Sequence, residues 1–374
     1  MIILITIIKI NRKREKEGLL NDTFLEIDGS FGEGGGAILR LSAGYSILFN
    51  QPIRINNIRA NRPKPGLKLQ HLLGLKTLAE LTNSQLSECK VGTREITLIP
   101  NKQLLPKINV NIATAASIGL LLQPIQIACL NLKRLNPIEI SLSGGGTFGK
   151  WAPDLNYLNE VTYKIFKNSG LNIEIKIQKH GFYPKGGAQV KCIISPLKQN
   201  LLPINLTELG NIDLIEGEII ITNQLRRQRD NIAERIRKSI KQQIKRNLKI
   251  ETEIKYKWVS STSPGVGLSL WAHSDTGAII STGTILGEKR ISSEKLGIIA
   301  ADELIKYIKN EIPVDNYLSD QLIPLIAYIK DQPTRIKVLE ITNHTRTNLE
   351  LIKKFINRDY KIIKEKQYFL IEYQ

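Results

Sequence analysis

The chain has 374 residues, 42% of them hydrophobic, and 53 Lys and Arg against 35 Asp and Glu leave it at +18. That length can bury a large core and excludes a small disulfide- or metal-stapled scaffold; the charge favours polyanionic partners such as nucleic acid. Cys89, Cys129 and Cys192 are far apart and form no C-x-x-C pair, which excludes a disulfide framework or thiolate zinc site and points to a reducing, cytoplasmic setting.

Residues 1–22 open with an apolar run, Met1 to Ile10, followed by Arg12, Lys13, Arg14 and Lys16. The run falls short of the roughly 20 residues a spanning helix needs. Its charge order is the reverse of a secretory leader. It reads as an N-terminal extension, and no other stretch reads as a membrane span, so no membrane partner is expected.

The densest stretch is Asp28-Gly29-Ser30-Phe31-Gly32-Glu33-Gly34-Gly35-Gly36-Ala37-Ile38-Leu39-Arg40. It reads as strand, tight turn and helix start. Glycines there let a ligand approach the backbone, and free N–H groups at the helix start favour an anion. Glu33 among them would repel a bare phosphate but suits one carried with a divalent metal. The spacing predicts a helix over 37–49, ended by Pro52, then a strand at 53–58. Arg59, Arg62, Lys64 and Lys68 follow in a proline-broken loop, a local anion site or a solvated basic loop, before a helix over 67–81.

Strands are predicted near 85–90, 95–99 and 108–112, then a buried helix over 114–130 whose Gln123 and Gln126 flank Pro124. A strand at 138–142 ends in Gly144-Gly145-Gly146-Thr147. A helix at 153–168 and a strand at 172–177 lead to His180-Gly181-Phe182-Tyr183-Pro184-Lys185-Gly186-Gly187 and a strand at 189–195. The rhythm suggests α/β units around a common axis. Composition then shifts near residues 196–207. A small α+β module follows, with strands near 214–222, 251–259, 266–272 and 278–285 and helices at 229–247 and 292–309. The first of these helices is basic, behind Arg226, Arg227 and Arg229, and reads as a solvated face or an RNA contact. The first rhythm returns with a helix from Asp315 to about Ile329, a strand at 336–341, and Thr342-Asn343-His344-Thr345-Arg346-Thr347-Asn348. His344 lies beyond a strand end, where α/β folds place ligand-facing residues, and a neutral imidazole there can act as a nucleophile.

Taken in order, these blocks resemble the RNA 3′-terminal phosphate cyclase family over about residues 24–374. They are the glycine loop with Glu33, Arg59-x-x-Arg62-x-Lys64-Pro65-Gly66, His180-Gly181-Phe182-Tyr183-Pro184-x-Gly186-Gly187, Tyr317-x-x-Asp320-Gln321 and His344-x-x-Thr347-Asn348. The resemblance implies an α/β fold: three similar units, each with two helices on a four-stranded sheet, and a smaller inserted α+β domain ahead of the last unit. Residues 23–206 and 313–374 would form the large catalytic domain and 207–312 the insert.

It implies an ATP-dependent reaction in which a histidine is adenylylated, AMP passes to an RNA 3′-phosphate, and the 2′-oxygen closes a 2′,3′-cyclic phosphate. His344 matches the nucleophile and Glu33 the metal-contacting carboxylate, for Mg or Mn. Arg40, Arg59 and Arg62 match phosphate-binding arginines. Gln123, Pro153, Tyr317, Leu318, Ser319, Asp320 and Gln321 match ATP-contacting positions. Asp320 either orients the imidazole or touches the nucleotide. The implied partners are ATP and RNA 3′-phosphate ends; the oligomeric state stays open, a homodimer among the options.

The chain departs from the family pattern at Ala188, at Phe148-Gly149-Lys150, and at Thr114-Ala115-Ala116-Ser117, which lacks an expected glycine. Two other readings are a non-catalytic ribosome-assembly member of the family, disfavoured by His344, and a carboxyvinyl transferase of related architecture, disfavoured by His344 and the charge.

Overall fold

A computed structural model describes residues 24–101, 103–226 and 231–374. The predicted extension over 1–22 and the predicted arginines 227 and 229 lie outside these residues. The chain is a mixed α/β protein built on one motif used three times.

In the first unit, β1 (Leu25–Asp28), α1 (Gly36–Phe49), β2 (Ile53–Asn56), α2 (Leu69–Leu81), β3 (Gln85–Leu86) and β4 (Ile96–Ile99) form a sheet in the order β1-β2-β4-β3. β1 and β2 run parallel, and β4 is antiparallel to β2 and β3. Ile53, Ile55, Ile96 and Leu98 are buried while their neighbours are not, the alternation of a sheet covered on one face.

The second unit repeats this with β5 (Lys107–Ser117), α3 (Ile118–Ala128), β6 (Ile138–Gly146), α4, β7 (Ile173–Lys179) and β8 (Gln189–Ile194), in the order β5-β6-β8-β7. Here α4 joins a short turn, Leu155–Tyr157, a π-helical stretch, Leu158–Thr162, and Tyr163–Ser169. The predicted helix start at residue 114 moves to Ile118. Thr114 to Ser117 stay extended in β5, and the Ser117 hydroxyl caps the helix by accepting from the Leu120 N–H at 3.3 Å.

The third unit begins with the two-residue β9 (Asn205–Leu206) and resumes with α7 (Asn316–Tyr328), β15 (Thr334–Val338), α8 (Asn343–Lys353), β16 (Tyr360–Lys364) and β17 (Phe369–Tyr373), in the order β16-β17-β15-β9. β9 pairs parallel to β15, as β1 does to β2. The smaller sheet thus enters after the first strand of the third unit rather than ahead of that unit. It comprises β10 (Leu214–Thr222), α5 (Ile232–Asn247), β11 (Glu251–Val259), β12 (Val266–His273), β13 (Ile279–Ser281), β14 (Ile285–Leu286) and α6 (Ser293–Lys309). α5 buries Ala233, Ile236, Ile240 and Ile244 and turns its basic residues outward.

The helices of the three units meet at the centre. Gly44 of α1 sits where an added Cβ would lie 2.9 Å from Ile127 of α3. The Tyr45 hydroxyl donates to Asn348 of α8, and Gln126 of α3 donates to Gln321 of α7 at 2.9 Å. The smaller sheet is locked on by Phe148 and Phe182, stacked 5.3 Å apart, whose rings fill the space left by Gly267 and Gly265. The departure at Phe148-Gly149-Lys150 is therefore partly a packing device.

Candidate active site

The glycine loop and His344 belong to different units, and Gly32 brings them together. Its φ of +63° is left-handed, and a Cβ there would lie 2.3 Å from the Thr347 hydroxyl on α8. Only glycine allows that approach without displacement. Asp28 closes the turn by accepting from the Ser30 N–H and hydroxyl at 2.9 and 2.8 Å. Next in the chain, Glu33 Oε2 lies 3.4 Å from His344 Nε2 and 3.9 Å from an Arg62 nitrogen. Gly35 caps α1 without a side-chain acceptor, so first-turn N–H groups remain available to an anion.

His344 is the second residue of α8, which Thr342 caps by accepting from the Thr345 N–H at 2.9 Å. Asp320 fixes that turn: its Oδ1 accepts from the Thr345 hydroxyl at 2.6 Å and the Thr342 hydroxyl at 3.2 Å. Burial pushes its carboxyl up to about 6. The open alternative for Asp320 acquires a third answer: it holds the backbone that carries the histidine.

A cavity of about 440 Å³ opens beside His344. Arg40, Gln123, Pro153, Tyr317, Asp320, Gln321 and His344 all line it. Arg40 donates from Nε to Gln123 Oε1 at 2.9 Å, and burial lowers its guanidinium to about 10. It stays a cation at neutral pH. Gln321 is also tied, through Gln126, to the Tyr163 hydroxyl.

Five expected residues do not line it: Glu33, which stands outside it on the glycine loop beside His344, and four others. Leu318 is in the core, and Ser319 is buried with its hydroxyl on the Asn316 carbonyl and beside Thr345. Both sit on the part of the helix turned away from the cavity. Arg59 is buried and donates to the Lys64 and Gly66 carbonyls at 2.7 and 2.9 Å, so it shapes the basic loop. Arg62 faces Glu33 and the glycine loop rather than the cavity.

Several residues escaped the sequence reading. His71 accepts from the Lys68 N–H through Nδ1 at 3.2 Å and presents Nε2 to the start of α1, where a Cβ on Gly36 would lie 2.2 Å away. Burial, then Arg40, Arg59 and Lys68, lower it to about 4, so it is neutral. The smaller sheet supplies a wall, including Gly283, Thr284, Ile285 and Leu286. The predicted strand over 278–285 breaks there because Gly283 turns left-handed under the Tyr317 ring. Two buried carboxylates hold that wall. Asp154 accepts from the Thr284 hydroxyl and the Tyr157 N–H, both at 2.9 Å. Asp315 accepts from the Ser281 N–H at 3.0 Å and the Leu318 N–H at 2.8 Å. Burial raises them to about 6 and about 7. The signal available in the sequence was their helix-capping position.

Among the described residues no group of three or more His, Cys, Asp or Glu is arranged to hold a metal, and no helix is long and apolar enough to cross a membrane. A single partly exposed carboxylate, Glu33, still fits a Mg-type ion, which takes one or two carboxylates and completes its shell with phosphate oxygens and water.

The family model for RNA 3′-terminal phosphate cyclase matches residues 31–362. Relatives carrying that name include one from Pyrococcus abyssi, 37% identical over 338 residues, covering 90% of this chain and 95% of the relative. Another from Methanosarcina barkeri is 35% identical over 345 residues, covering 92% and 98%. A third from Methanopyrus kandleri is 34% identical over 339 residues, covering 89% and 94%. With its three βαβαββ units, its interrupting α+β sheet and a match along most of its length, the chain belongs to the RNA 3′-terminal phosphate cyclase family.

Proposed function

We propose that this chain converts an RNA 3′-terminal phosphate to a 2′,3′-cyclic phosphodiester at the expense of ATP, with His344 as the nucleophile. The observation that carries the reading is the 3.4 Å approach of Glu33 to His344 at the edge of a cavity that also takes Arg40, Gln123, Pro153 and Tyr317. In the first step an imidazole nitrogen attacks the α-phosphorus of ATP and pyrophosphate leaves. A 3′-phosphate oxygen of the RNA then attacks the adenylyl phosphorus and the imidazole leaves. Last, the 2′-oxygen attacks the 3′-phosphorus, its proton passes to solvent, and AMP leaves.

The residues divide the work. Asp320, through Thr342 and Thr345, holds α8 so that the imidazole meets its target in line. Arg40, the α1 N-terminus and Arg62 offset the negative charge of the reacting phosphates. A divalent metal, when bound, neutralises phosphate charge; Glu33 would hold it. Pro153 and the Tyr317 ring offer apolar surface to adenine. In this reading 23–206 with 313–374 act as the catalytic body, and 207–312 as an insert that closes one side.

The test is to incubate the protein with ATP, a divalent metal and an RNA bearing a labelled 3′-phosphate. The label should become resistant to phosphatase and AMP should accumulate one for one. Label that stays phosphatase-sensitive with every metal tried would reject the reading and favour an RNA-binding role without catalysis.

A further inference from the structure

Trp151 is 90% exposed, which is rare for so large an apolar side chain, yet it lines the same cavity as His344. Its φ is +58°, a left-handed conformation that glycine or asparagine would adopt more easily. The turn that forces it outward closes through the Ala152 N–H on the Gly149 carbonyl at 3.3 Å. The Lys150 ammonium lies 5.1 Å from the ring centroid, and Glu288 of the smaller domain pins it at 3.0 Å. The ring thus has a cation beside it and is displayed at the rim.

We propose that Trp151 is a stacking platform for the 3′-terminal base of the RNA. This rests on reading the cavity as the cyclase site. Adenine has Pro153 and Tyr317 within the cavity, whereas the RNA must enter from outside, past the rim. A flat aromatic ring takes any base, since every base has a π-face, and the lysine adds attraction for the adjoining phosphate. The platform would place the terminal ribose and phosphate before His344 without selecting sequence.

The experiment measures, on the full chain and without ATP, the Kd of fluorescent 3′-phosphorylated RNAs ending in an ordinary or an abasic nucleotide. Trp151→Ala should raise the Kd of the ordinary RNA roughly 10- to 100-fold and leave that of the abasic RNA unchanged. Trp151→Phe should stay near wild type. Self-labelling from α-labelled ATP, with its KM for ATP, should be the same in all three proteins. An unchanged Kd in Trp151→Ala, or equal weakening of both RNAs, would overturn the proposal; a raised KM for ATP with unchanged RNA binding would hand the platform to adenine. Wild-type protein that takes no label would reject the cyclase reading, while the two Kd values would still decide the role of Trp151.

Discussion

Gly32→Ala tests how the two halves of the site are joined. The added methyl would lie 2.3 Å from the Thr347 hydroxyl and 3.2 Å from its Cβ, at a φ of +63°. The left-handed conformation costs an alanine about 1–2 kcal/mol. Overpacking against α8 adds about 1–3 kcal/mol. The loop relieves this by moving away from α8 and taking Glu33 with it. A shift of about 1 Å in such a site costs on the order of 100-fold in rate. Transfer of label from α-labelled ATP to the protein should fall by that order, while the fold survives. Thr347→Ala removes the two nearest atoms and loses one bond, to the Asn343 carbonyl at 2.7 Å. Combined with Gly32→Ala it should restore the overpacking part and leave the φ cost. Wild-type labelling by Gly32→Ala, or a double variant no better than the single, would refute the reasoning.

Three further outcomes are expected. Gln126→Leu strands the Gln321 carbonyl oxygen and the Tyr163 hydroxyl, so thermal unfolding should show a loss of about 1–3 kcal/mol while self-labelling at a permissive temperature persists. Asp154 and Asp315, raised by burial to about 6 and about 7 from 3.8, hold protons more tightly folded than unfolded. They therefore favour folding in acid, and that contribution is lost progressively as pH rises from about 4 through their folded values of about 6 and about 7, a swing for Asp315 on the order of 4 kcal/mol at most. Melting curves of Asp315→Asn should fall less steeply than wild type over this range; parallel curves would contradict the account. Glu33→Gln should weaken self-labelling most at low metal and recover in part at high metal, so a defect indifferent to metal would remove Glu33 from that role.

The elements of the units were legible because each carries its own period and punctuation. Glycines and Glu33 marked the first loop, Pro52 ended α1, and a strand ran into His344. Contacts between distant segments were not. Nothing local says that Arg40 meets Gln123, 83 residues away, or that Arg59 spends its guanidinium on its own loop. β9 has two residues, too few for any pattern, so the entry of the smaller sheet into the third unit was hidden. The segment from Gly283 to Ile285 read as plain strand because its role depends on Tyr317 and Asp154, which lie on other units. The resemblance matched the segment Tyr317 to Gln321 as a whole, but successive helical positions point about 100° apart, and Leu318 and Ser319 point into the core.

The most direct measurement is covalent labelling at His344. Incubated with α-labelled ATP and a divalent metal, then denatured, the wild-type protein should carry label that acid removes and alkali does not, as expected of a phosphoramidate. A peptide map should place it on His344, and His344→Ala should carry none. Label on another residue, or undiminished label in His344→Ala, would contradict the account at its centre.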